Sequence, residues 1–262
     1  MSLNRRQIAL AGLAAFPLRS GRQKGRTLYI AGDSTAAQKY STEAPETGWG
    51  MALPFFLRRE VKVANHAVNG RSSKSFVDEG RLEAILSTIR PGDLLLVQFA
   101  HNDEKTADPT RYTEPWTTYQ DYLRLYIEGA RAHGARPVLA TPVERRRFDA
   151  DGNALPSHGD YPAAMRALAQ QERVALLDIE ALSLALWQRL GVEETKVYFN
   201  WTDTEQDNTH FNPPGAIAVA RLVARELART RVLAPRDVVR LRDEIPTSWI
   251  TWPEATDASD LL

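Results

Sequence analysis

From residue 27 onward, short uninterrupted apolar runs alternate with longer segments in which apolar residues recur every three or four positions. The runs cover 28–31, 61–68, 94–99, 137–140 and 174–178. Runs this short, with little polar alternation, are what strands buried on both faces of a parallel sheet require. The periodic segments at 49–59, 76–89, 117–133, 161–172, 180–190 and 214–229 predict helices. Pro213 and Pro214 suit the start of the last one, where a missing N–H would have had no partner anyway. Gly134 and Gly191 stand where two others should stop. The alternation as a whole predicts an α/β fold with five parallel strands and helices on both faces. Longer insertions at 102–116 and 141–160 follow the third and fourth strands. They lie at the carboxyl edge, where open parallel sheets bind their ligands.

The chain has 262 residues and no internal linker rich in Gly, Ser or Pro, which predicts one domain over 26–262. Lys plus Arg equals Asp plus Glu at 33 each, so there is no electrostatic case for nucleic acid or an anionic membrane as partner. Cysteine is absent, which excludes disulfides, thiolate catalysis and Cys-ligated zinc. Residues 1–25 read as an N-terminal extension: Arg5-Arg6 precede an apolar stretch at 8–17 and a basic one at 19–26. This is the pattern of a twin-arginine export signal, too short to span a bilayer, and it predicts a periplasmic or secreted protein. At the other end Trp249 and Trp252 are expected to pack on the body and residues 257–260 to fray.

Candidate chemistry begins at Gly32-Asp33-Ser34-Thr35, directly after the first apolar run. A serine hydroxyl is a weak nucleophile until an imidazole takes its proton, and that imidazole needs a carboxylate to fix its tautomer. Asp207-Asn208-Thr209-His210 supplies both, with a spacing that puts the two side chains on one face in a turn or first helical coil. Each motif also has a plain alternative: Asp33 or Ser34 as a helix cap, and Asp207 and His210 as a surface loop. His158-Gly159-Asp160 is a competing source of the base. Asn69-Gly70-Arg71-Ser72 follows the second strand and Ala100-His101-Asn102-Asp103 the third. There the Gly70 N–H and the Asn102 amide, with the Ser34 N–H, could face a developing oxyanion, although Asn-Gly and Asn-Asp are also common turn pairs.

Trp49, Trp116 and Trp201 flank these segments and either stack on a sugar ring or fill the core. Arg71 and the run Arg145-Arg146-Arg147 could pair with uronate carboxylates, or form a solvated face. His66 reads as an interior histidine. No cofactor or metal motif is present: Gly48-Trp49-Gly50 lacks a third glycine, and neither a P-loop Gly-Lys nor a His-Glu-x-x-His occurs.

Taken together, Gly32-Asp33-Ser34, Gly70, Asn102 and Asp207-x-x-His210 resemble, in order and at strand ends, the four blocks of the SGNH hydrolases, the GDSL-type esterases. Within that superfamily the segments around 32–37, 48–50, 65–73, 101–103, 141–145 and 207–211 are similar to the rhamnogalacturonan acetylesterase branch. Ala100 stands where the third block usually has glycine. The resemblance implies a three-layer α/β/α, flavodoxin-like sheet of five parallel strands. It also implies Ser34 as nucleophile, His210 as base, Asp207 as its partner, and Ser34, Gly70 and Asn102 as the oxyanion hole. The expected substrate is an acetylated carbohydrate, met by Asp33, Trp49, Arg71 and Trp201, with no cofactor. The alternatives are a lipase, arylesterase or acyl-thioesterase on the same scaffold, or a carbohydrate-binding protein without catalysis.

Overall fold

The computed structural model describes residues 25–255, so the export-signal reading and the expected fraying at 257–260 lie outside the described residues. Strands β1 (Arg26–Gly32), β2 (Val61–Asn65), β3 (Leu94–Gln98), β4 (Arg136–Ala140) and β5 (Ala175–Leu177) form a parallel sheet in the order β2-β1-β3-β4-β5. The pleat explains the unbroken apolar runs. Leu28, Ile30, Leu94, Leu96 and Val138 point to one face, and Tyr29, Ala31, Leu95, Val97 and Leu139 to the other. Each set meets a helical layer, so neither face can be polar.

The helices are α1 (Trp49–Ala52), α2 (Ser73–Asp78), α3 (Arg81–Leu86), α4 (Gln120–Ala132), α5 (Tyr161–Gln171), α6 (Ile179–Glu194) and α7 (Pro213–Arg229). Residues of α1 and α7, with Ile179 and Trp187 of α6, pack on the first face, and those of α3, α4 and α5 on the second. Gly191 has φ +77° inside α6, so the regular helix stops there, as the sequence predicts.

Three expected elements are shorter or divided. The second strand ends at Asn65 rather than 68, because the Asn65 side chain turns the chain: its Nδ2 donates to Ala36 O at 2.8 Å and its Oδ1 accepts from Ala67 N at 3.2 Å. The helix expected over 49–59 becomes α1 and a 3₁₀ turn at Leu53–Phe56, since Pro54 has no amide with which to continue the ladder. The helix expected over 76–89 breaks into α2 and α3 at Gly80, where φ is +73°.

One element was not expected at all. Strands β6 (Phe199–Trp201) and β7 (Gln206–Phe211) form an antiparallel hairpin apart from the main sheet, and β7 carries both Asp207 and His210. At the chain's end Trp252 is part-buried, with Nε1 donating to Glu46 O at 2.8 Å, whereas Trp249 stays 43% exposed against Phe55 and Arg240. Among the described residues no helix is long and apolar enough to cross a membrane.

Candidate active site

The turn after β1 is built by Asp33. Its backbone carbonyl accepts from the amides of Ala36 and Ala37, both at 3.1 Å. Its Oδ1 takes Thr35 N at 3.0 Å and Thr35 Oγ1 at 2.7 Å, and Oδ2 faces His101 Nδ1 at 3.2 Å. Burial alone would raise the Asp33 pKa, but His101 and these hydrogen bonds outweigh it and hold the carboxyl at about 2. Asp33 is fully buried, so the expectation that it touches substrate fails. It shapes the turn on which Ser34 stands.

Ser34 lies at the floor of a cleft of about 380 Å³ at the carboxyl edge of the sheet. Its Oγ is 2.8 Å from His210 Nε2, and His210 Nδ1 is 2.6 Å from Asp207 Oδ2. The pairing fixes the tautomer: Nδ1–H donates to the carboxylate, which leaves the Nε2 lone pair to accept from the serine hydroxyl. Side chains three apart on a flat strand would point to opposite faces. Here Asp207 Oδ1 accepts from the amides of Thr209 at 2.6 Å and His210 at 3.0 Å, curling β7 so that both side chains share one side. Burial would raise the Asp207 pKa, yet the bonds from His210 and Thr209 hold it at about 2. For His210, burial acts to lower the pKa, but Asp207 and Glu46 more than offset it, and the net shift is upward.

Gly70 has φ +73°, a conformation that side chains disfavour, and its nearest neighbour to an added Cβ would be Arg111 Nη1 at 3.6 Å. The glycine is there for its backbone angle rather than for space. Among the described residues neither the Ser34 nor the Gly70 amide has a hydrogen-bond partner. The loop is fixed through Asn69, whose Oδ1 accepts from Lys39 Nζ at 2.5 Å and whose Nδ2 donates to Glu43 Oε1 at 2.8 Å. Asn102 is 3% exposed and spends one N–H on Arg71 O at 3.0 Å, leaving the other available. Ala100 is buried and is not among the residues with positive φ, so this position does not require glycine.

Several residues that sequence reasoning gave no role hold these loops together. Asp103 accepts from Ser73 N at 3.1 Å, Ser73 Oγ at 2.5 Å and Thr113 Oγ1 at 2.9 Å, tying the segment after β2 to the insertion after β3. Full burial pushes its carboxyl up to about 7 against those hydrogen bonds. His101, whose pKa burial lowers to about 4, bridges the Ser34 turn to β3 through Asp33, and its Nε2 is buried without a partner among the described residues. Lys39 is almost completely buried and also pairs with Glu46. Their signals in the sequence were their places within or beside the motifs, with no role attached.

Other expected contacts are not brought to the cleft. Trp49 is wholly buried in the core under β1, so it cannot stack on a sugar. Trp201 is covered by the Arg146 guanidinium at 4.5 Å and Lys196 at 5.3 Å and does not line the cleft. Arg71 lines a neighbouring groove, with Nε on Glu79 Oε2 at 2.9 Å and Nη1 on Asn69 O at 2.8 Å, while its carbonyl accepts from Asn102. Of the arginine run, Arg145 lines the cleft, while Arg146 fastens the hairpin through Asn208 Oδ1 at 3.0 Å and Asn208 O at 2.8 Å. His158 is buried with Nε2 on Val143 O at 3.0 Å, away from Ser34. His66 is part-buried and stacks on Tyr29 at 5.7 Å. Among the described residues no group of three or more His, Asp or Glu could hold a metal ion.

An acidic side chain, an imidazole and a hydroxyl in hydrogen-bonded series, beside unpaired amides at strand ends, are arranged as acyl transfer requires. The model of the GDSL-like lipase/acylhydrolase family matches residues 30–217, and the chain belongs to that family, a class of ester hydrolases. Two relatives from Bacillus subtilis are similar over most of its length. The probable rhamnogalacturonan acetylesterase YesY is 43% identical over 215 residues, 82% of this chain and 98% of that one. The rhamnogalacturonan acetylesterase RhgT is 44% identical over 206 residues, 75% and 87% respectively. Among solved structures, the YxiM protein of Bacillus subtilis superposes with a TM-score of 0.71 at 33% identity, covering 80% of this chain, which spans 58% of that one. An acetylxylan esterase from Geobacillus stearothermophilus superposes at 0.56 with 14% identity over 79% of this chain and 94% of its own, a likeness of fold alone.

Proposed function

We propose that this protein is a carbohydrate acetylesterase that uses Ser34, His210 and Asp207 as a catalytic triad and acts on a pectic, rhamnogalacturonan-type substrate. The observation that carries the reading is the unbroken series from Ser34 Oγ to His210 at 2.8 Å and from His210 to Asp207 at 2.6 Å. As the serine attacks the acetyl carbonyl, Nε2 takes its proton and the carbonyl oxygen gains charge. The amides of Ser34 and Gly70 and the second N–H of Asn102 receive that charge. Nε2 then gives its proton to the departing sugar oxygen, leaving acetyl on Ser34. Water, deprotonated by the same nitrogen, attacks the acetyl-enzyme and releases acetate. The names of YesY and RhgT favour rhamnogalacturonan. A cleft holding Lys39, Lys105 and Arg145 against the single carboxylate of Glu46 suits an acidic sugar chain. Export through the N-terminal segment belongs to the same reading, since such polymers lie outside the cell.

The test is acetate release from acetylated rhamnogalacturonan, acetylated xylan and an octanoyl ester, by the wild-type protein and by Ser34→Ala. Hydrolysis of rhamnogalacturonan by the wild type and its loss in the variant are expected. Undiminished hydrolysis by Ser34→Ala would sink the triad, and a preference for octanoate would mark a lipase.

A further inference from the structure

The positive charge of the cleft is compensated at every side chain but one. Lys39 is buried with its Nζ on Asn69 and Glu46. Arg145 is held by Glu104, by Ser157 O at 3.4 Å and by His158 Nδ1 at 3.4 Å. Lys105 lines the same cleft, is exposed, and has no carboxylate in ion-pair range among the described residues. Its backbone is anchored at the site, because its N–H donates to Asn102 O at 3.3 Å, the carbonyl of the residue whose side-chain amide would face the oxyanion.

The surroundings of Lys105 are what an anion would relieve. Partial burial and repulsion from Arg111 and Arg145 lower its pKa, while Asp108 and Glu104 counter this only in part. Those two carboxylates are already engaged, Asp108 with Arg111 Nε at 2.5 Å and Glu104 with Arg145. An ammonium left among two guanidiniums gains most from a third carboxylate, and none within the described chain reaches it.

We infer that Lys105 is a specificity-determining residue whose ammonium binds a carboxylate of the substrate, a uronate carried near the acetylated sugar, while the ester carbonyl lies against Ser34. The inference rests on the acetylesterase reading and adds to it the side chain that tells acidic from neutral sugar chains. Arg71 does not compete for this role, being turned to Glu79 in the adjoining groove.

The experiment measures kcat/KM on an acetylated oligosaccharide containing uronate and on the same oligosaccharide with its carboxyl groups reduced to alcohols, for wild type, Lys105→Gln, Lys105→Arg and Lys105→Glu. The acidic-to-neutral ratio is expected to fall about three- to tenfold in Lys105→Gln, with the loss in KM, to fall further in Lys105→Glu and to be largely kept in Lys105→Arg. Raising the salt concentration should bring the wild-type ratio toward that of Lys105→Gln. An unchanged ratio in Lys105→Gln overturns the assignment while leaving the acetylesterase reading intact. A wild-type protein that hydrolyses neither substrate overturns that reading and the assignment with it.

Discussion

Asp207 divides its two oxygens between two tasks: Oδ2 holds the imidazole, and Oδ1 holds the backbone turn that aims it. Asp207→Asn keeps an acceptor for the turn but removes the carboxylate that selects the Nδ1–H tautomer. A loss of about 10⁴ in kcat with little change in KM is expected, measured by steady-state kinetics on a small acetyl ester. In the proposed mechanism His210 also sets the pH dependence. Its pKa lies above the ordinary 6.5, because Asp207 and Glu46 outweigh the effect of burial. Only the neutral ring can accept the Ser34 proton, so protonation on acidification removes the base. The acid limb of kcat/KM should therefore have its midpoint above 6.5, and a midpoint below that value would contradict this role for His210. At this scale the sequence was informative about which side chains meet, since Ser34, Asp207 and His210, singled out from their motifs, form one hydrogen-bonded series. It gave no role to Lys39, Asn69, His101 and Asp103, whose work consists of contacts between segments far apart in the chain, such as Asp103 to Ser73 across 30 positions.

The five strands were legible because each is a short apolar run and nothing else explains such runs in a chain this polar. The β6–β7 hairpin was not. Gln206-Asp207-Asn208-Thr209-His210 has no apolar alternation, and its strand geometry comes from tertiary contacts rather than from its own pattern. Arg146 is central to those contacts: it stacks on Trp201 of β6, bonds Asn208 of β7 through both side chain and backbone, and donates to Val192 O at 2.5 Å. The sequence offered Arg146 as a substrate contact or a solvated charge, and the structure makes it the clasp of the element that carries His210. Arg146→Ala should lower kcat by about ten- to a hundredfold, because a small displacement of the imidazole is costly, while the melting temperature changes little. Equal losses in activity and in the folded fraction, followed by circular dichroism, would count against it.

Across the molecule, Ser34 and His210 are 176 positions apart and meet only when the sheet and the hairpin are both in place. Ser34 stands on the turn after β1, an interior strand of the main sheet, and His210 on a satellite hairpin whose far end runs straight into α7. Asn212 alone separates β7 from Pro213, and its side chain accepts from Gly215 N at 3.4 Å to cap that helix. A Cβ on Gly215 would fall on the carbonyl oxygen of Tyr198, so the start of α7 is pressed against the turn leading into β6. The consequence concerns the length of the chain rather than its chemistry. One residue inserted between His210 and Pro213 would advance the strand by about 3.3 Å, more than a hydrogen bond can absorb. Such an insertion should abolish hydrolysis while the protein still melts cooperatively. The same insertion in the exposed turn at 149–153, held by Asp149 and Asn153, should leave turnover within about twofold of wild type, as surface turns tolerate added length. The spacing between His210 and Pro213 is thus a ruler, and this enzyme can change its loops far more freely than it can change that count.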